Sequence, residues 1–82
     1  MQIKKKLKYM KKESNAFVRG WRKLPLAVTD EVRRKIMEAL GLQTVTAFNQ
    51  RRRGVIEPKI SEFRAIEAVF AEYGVSDIWG EE

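Results

Sequence analysis

The chain contains neither cysteine nor histidine. The first absence excludes disulfides and thiolate metal sites. The second removes the commonest general base and the commonest transition-metal ligand together. No apolar run approaches the roughly 20 residues that a bilayer-spanning helix needs. Met1 is followed by Lys4, Lys5, Lys6 and Lys8 but by no apolar stretch of signal-peptide length. A soluble cytoplasmic protein is the expectation, with no membrane partner. The sequence also lacks a nucleophile–base pairing, a glycine-rich phosphate loop and any metal-ligand spacing. Catalysis by this chain alone is therefore not expected, and no catalytic residue, cofactor, metal or small-molecule substrate is assigned.

What is present is positive charge, unevenly placed. The 82 residues suit one domain, near the lower size at which a hydrophobic core stands alone. Residues 1–13 carry a net charge of +5, residues 14–56 of +6 and residues 57–82 of −5. The first two-thirds form a polycation and the last third an acidic cap, and a basic face attracts polyanions, of which nucleic acid is the usual one. Residues 1–13 read as a lysine-rich basic N-terminal arm. Six lysines repel one another there, so the arm is expected to be ordered weakly, or against DNA or a partner chain. As a membrane anchor the arm lacks bulky aromatics on an apolar face.

Beyond the arm, residues 14–82 read as one all-α domain. Ser14 or Asn15 can cap a first helix whose apolar face is Phe17, Val18, Trp21 and Leu24, weakened by Gly20 and ended by Pro25. Thr29 is the expected cap of a second helix, with Asp30 and Glu31 at its positive end. Val32, Ile36, Ala39 and Leu40 share a face of that helix. Gly41 stands where a helix stops on a left-handed residue, and Leu42 can fold back onto the helix it leaves. A third helix runs from Gln43 or Thr44 to Arg52, anchored by Val45 and Phe48, and Arg53-Gly54 closes it. Pro58 marks the start of a fourth helix with the apolar stripe Phe63, Ile66, Val69, Phe70 and Tyr73, which Gly74 ends. Val75, Ile78 and Trp79 read as a last short turn against the core, Trp79 closing the core or entering a dimer interface.

The order of these features carries a resemblance. A helix, the Leu40-Gly41-Leu42 turn, a short helix closed by Arg53-Gly54, then Glu57-Pro58-Lys59 opening an Ile66-containing helix that ends Tyr73-Gly74-Val75, is similar to the lambda repressor/Cro-like helix-turn-helix domains. The similarity spans residues 15–79. It implies a compact four- or five-helix bundle, double-stranded DNA as partner, and a small transcriptional regulator of phage or bacterial type. The resemblance also implies homodimerisation on a two-fold-symmetric site, which is common in that family. The chain departs from the family's pattern at Met37, where a small residue is usual, and at Gln50 and Arg51, where an apolar residue is usual.

Within that frame, helix 43–53 enters the major groove. Gln43, Thr44, Thr46, Asn49 and Gln50 are the expected base readers, because Asn and Gln bond adenine edges in pairs and threonine offers a hydroxyl and a methyl. Threonine and asparagine are poor helix formers, so a surface chosen only for helix stability would use other residues. Arg51, Arg52, Arg53 and Lys59 are the expected phosphate contacts, with the amino end of the second helix near Thr29 against the backbone. The plainer reading of the arginines is a solvated helix end that complements the macrodipole. The competing function is a helix-turn-helix-derived protein-interaction module, an antitoxin or accessory factor that does not itself bind DNA.

Overall fold

The structure is a computed structural model in which residues 15–82 are described; the expected lysine arm and Ser14 lie outside them, and Phe17 rather than Asn15 holds the cap position of the first helix. Four α-helices follow one another: α1 (Val18–Arg22), α2 (Thr29–Leu40), α3 (Val45–Arg52) and α4 (Ile60–Ala71), with a 3₁₀ turn at Leu26–Val28 before α2. The described residues contain no strand, only one isolated parallel bridge between Phe17 and Gly80.

The core is organised around Phe17, which is fully enclosed. Its ring meets Phe48 of α3 at 5.8 Å, Phe70 of α4 at 5.9 Å and Trp79 at 6.0 Å, all edge to face, the arrangement that aromatic quadrupoles favour. Val32 and Ile36 of α2 and Ile66, Val69 and Phe70 of α4 complete it, and α2 packs chiefly on α4. Ala39, expected on the buried face, is exposed. The face that packs is Val32, Ile36 and Leu40 at four-residue steps with Met37 beside them, so the long Met37 side chain fills space against the core.

Thr29 also departs from expectation. It is the first residue of α2, Val28 holds the cap position, and the Thr29 hydroxyl donates to Leu26 O at 2.9 Å. The preceding 3₁₀ turn supplies that acceptor, which draws the side chain away from the helix amides. The start of α2 is stabilised instead by Asp30 and Glu31 in its first turn. Glu31 accepts from the Tyr73 hydroxyl at 2.7 Å, and Lys35 lies 2.9 Å from Glu72 and over the Tyr73 ring. Tyr73 and then Lys35 hold the Glu31 carboxyl below its ordinary range, and Glu72 and then Tyr73 raise the Lys35 ammonium.

The chain end is not a helical turn. Residues 75–80 run beside α1 without forming a helix: Gly20 N–H donates to Ile78 O at 2.9 Å, Arg19 N–H to Gly80 O at 3.1 Å and Gly80 N–H to Ala16 O at 2.7 Å. Gly20 is what allows this. A Cβ there would fall 2.9 Å from Ile78 Cα, so the residue that weakens α1 is the one that lets the C-terminal segment dock. Asp77 meets Arg19 at 3.4 Å and Lys23 at 3.3 Å; Lys23 and then Arg19 keep its carboxyl ionised to lower pH than usual. Trp79 closes the core, with its ring 4.6 Å from Phe63 and its Nε1–H donating to Glu67 at 2.8 Å.

Candidate nucleic-acid interface

The connection between α2 and α3 is built by backbone geometry. Gly41 takes φ 72°, in the left-handed region, and the two bonds that close α2 run from Gly41 N–H to Glu38 O at 3.3 Å and from Leu42 N–H to Met37 O at 2.8 Å, the double bond of a glycine-terminated helix. Leu42 is thereby turned back onto the core. Thr44 is extended, and its hydroxyl accepts from Ala47 N–H at 3.1 Å. That cap satisfies one of the amides left free at a helix start. Thr44 was expected to read bases, and its oxygen is already engaged with its own helix, leaving the O–H proton to donate.

Phe48 is the one fully buried side chain of α3. Val45, expected to anchor the helix with it, is 50% exposed, because a helix only eight residues long presents a narrow face to the core and Phe48 fills it. With Phe48 fixed inward, the helical repeat places Thr46, Asn49, Gln50 and Arg53 on one outward stripe at i, i+3, i+4 and i+7. Thr46 and Arg53 are exposed and Asn49 and Gln50 half-exposed. Gln43, just before the helix, is exposed as well.

The three arginines separate at successive positions. Arg51 turns inward against α4: its Nη1 donates to Glu62 Oε1 at 2.6 Å, with only 16% and 17% of the two side chains exposed. Glu62 also accepts from Lys59 N–H at 3.0 Å, which ties the start of α4 to the end of α3. Burial works to raise the Glu62 carboxyl, but the Lys59 amide and Arg51 outweigh it and the net direction is downward. Arg52 lies over the Trp21 ring, 5.9 Å from its centroid, and donates to Asn49 Oδ1 at 3.4 Å. Its Nε is enclosed with no partner among the described residues, and its carbonyl accepts from Phe17 N–H at 2.9 Å. Arg53 is exposed. Lys59 is exposed at the cap of α4. Thr29 sits between the 3₁₀ turn and the carboxylates of Asp30 and Glu31.

Sequence reasoning did not single out Glu62. The available signal was Arg51 itself, a charge at a position where the resembled family places an apolar side chain. Trp21 as the platform for Arg52 was also missed, since no periodicity links α1 to α3.

The ion pairs sort the remaining cations. Acids of the last third take Arg19, Lys23, Lys35 and Arg51, and Asp30 takes Arg33. Arg22, Arg34, Arg52, Arg53, Lys59 and Arg64 form no ion pair among the described residues. No acidic residue lies between Glu38 and Glu57, so the outward stripe of α3 has no carboxylate of its own. Among the described residues no cluster of metal-ligating side chains occurs, and no helix is long and apolar enough to cross a membrane. No family model, curated protein or solved structure matches the chain.

Proposed function

We propose that the protein is a sequence-specific DNA-binding regulator with the helix-turn-helix layout of the lambda repressor/Cro-like domains, in which α3 enters the major groove. The observation that carries this reading is the acid-free stripe Thr46, Asn49, Gln50 and Arg53, turned outward by the Phe48 anchor on a helix set off by the Gly41 turn. Asparagine and glutamine can each bond adenine through two groups, and arginine can bond guanine or a phosphate. Gln43 and the Thr44 O–H lie at the leading end, and Lys59 supplies charge beside the trailing end. Arg51 and Arg52 act mainly through the fold, holding α3 against α4 and α1. Asp30 and Glu31 make the amino end of α2 at Thr29 the weakest of the phosphate contacts. A dimer of this kind would read half-sites roughly 34 Å apart. The test is fluorescence anisotropy on a selected duplex: Arg53→Glu should weaken binding by about tenfold or more with helicity intact, and unchanged affinity would remove the reading.

A second reading is favoured by a different observation. Leu26 is 87% exposed, and Val55 before α4 and Ile60 at its first position are 65% and 71% exposed. Exposed apolar side chains of this size suit a protein partner, either a second copy or another chain. Size exclusion with light scattering separates the readings: an oligomer that ignores DNA at low salt favours the interaction module.

A further inference from the structure

We infer that Val45 recognises the 5-methyl group of a thymine; this rests on the DNA-binding reading above and adds to it a residue and a base preference. Val45 opens α3 with half its surface in solvent, while Phe48, three residues on, is sealed at 1%. A β-branched residue is a mediocre helix former, and one so exposed gives the core little. Both neighbours, Thr44 and Thr46, are polar and exposed, and one helical turn leads from Val45 to Asn49 on the outward stripe. Single exposed apolar residues are ordinary on protein surfaces; the position of this one is what distinguishes it. The first residues of a groove-inserted helix lie nearest the base edges. In the major groove thymine presents a methyl group that apolar side chains contact. An A·T pair carries the adenine edge beside that methyl, so Asn49 and Val45 can address one pair or two adjacent ones.

The test uses the full chain and the duplex that emerges from in vitro selection. Each thymine is replaced in turn by uracil, which deletes the methyl group and leaves base pairing intact. Wild type should lose about fourfold in affinity at a position facing the start of α3, the value of one buried methyl. Val45→Ser, which removes both side-chain methyls, should bind the thymine and uracil duplexes alike, and Val45→Ile should keep the difference, with circular dichroism reporting intact helices in both. A difference that persists in Val45→Ser, or no methyl-sensitive position in wild type, overturns the inference while DNA binding stands. A selection that enriches no sequence removes the DNA-binding reading and this inference with it.

Discussion

Arg51 of α3 and Glu62 of α4 meet at 2.6 Å with most of both side chains shielded from water. The pair joins the helix that carries the outward stripe to the helix that backs the core. Removing one member leaves a shielded charge without its partner. Arg51→Ala should therefore lower the unfolding free energy by about 1–3 kcal/mol, whereas Arg53→Ala, at an exposed position, should change it by less than about 0.5 kcal/mol. Urea denaturation of the two variants checks the contrast.

Acid should loosen the fold through the same carboxylate. Glu62 is held below its ordinary value of 4.5, and Glu31 and Asp77 are lowered too. A carboxyl with a depressed folded-state pKa contributes stability above its unfolded pKa and loses it as pH falls through the folded value. Thermal unfolding should thus show a plateau at neutral pH and a decline below about pH 4.5. Glu62→Gln should shrink that decline; a variant with the wild-type pH dependence would remove Glu62 as a cause.

Gly20 admits the C-terminal segment. Gly20→Ala would place a Cβ 2.9 Å from Ile78 Cα and 3.0 Å from its Cγ2, so the segment must shift despite alanine's better helix propensity. A net loss of about 1–3 kcal/mol is expected, with raised hydrogen exchange at the Gly20 and Gly80 amides. A more stable variant would show that propensity prevails over the contact.

The helical class, the Gly41 turn, the Phe48 anchor and the stripe Ile66, Val69 and Phe70 were legible in the sequence, because each depends on spacing along one element. What escaped depends on contacts between elements. The Ala39 side chain satisfies the helical period as well as Met37 does, and only the placement of α4 decides which is buried. The Thr29 hydroxyl had two possible partners, and the 3₁₀ turn before α2 settled the choice. Three adjacent arginines read alike as sequence; α4 takes Arg51 through Glu62, α1 takes Arg52 through Trp21, and Arg53 alone turns outward. The pairing of residues 75–80 with α1 spans nearly the whole described chain, so no local pattern announced it.

Arg53 and Lys59 should contribute to DNA affinity as charges. Neutralising a phosphate contact reduces the salt dependence of log K by about 0.9 per contact on duplex DNA. Arg53→Gln and Lys59→Gln should each flatten the slope by about that amount if each touches one phosphate. Equal slopes for wild type and both variants would place these side chains away from the backbone.

The most direct measurement is in vitro selection from random duplexes, run in parallel with wild type and with a Thr46→Ala, Asn49→Ala, Gln50→Ala variant of verified helicity. The account predicts that wild type enriches a defined motif and that the variant loses or changes it. Enrichment of the same motif by both proteins, or of none by wild type, would contradict it.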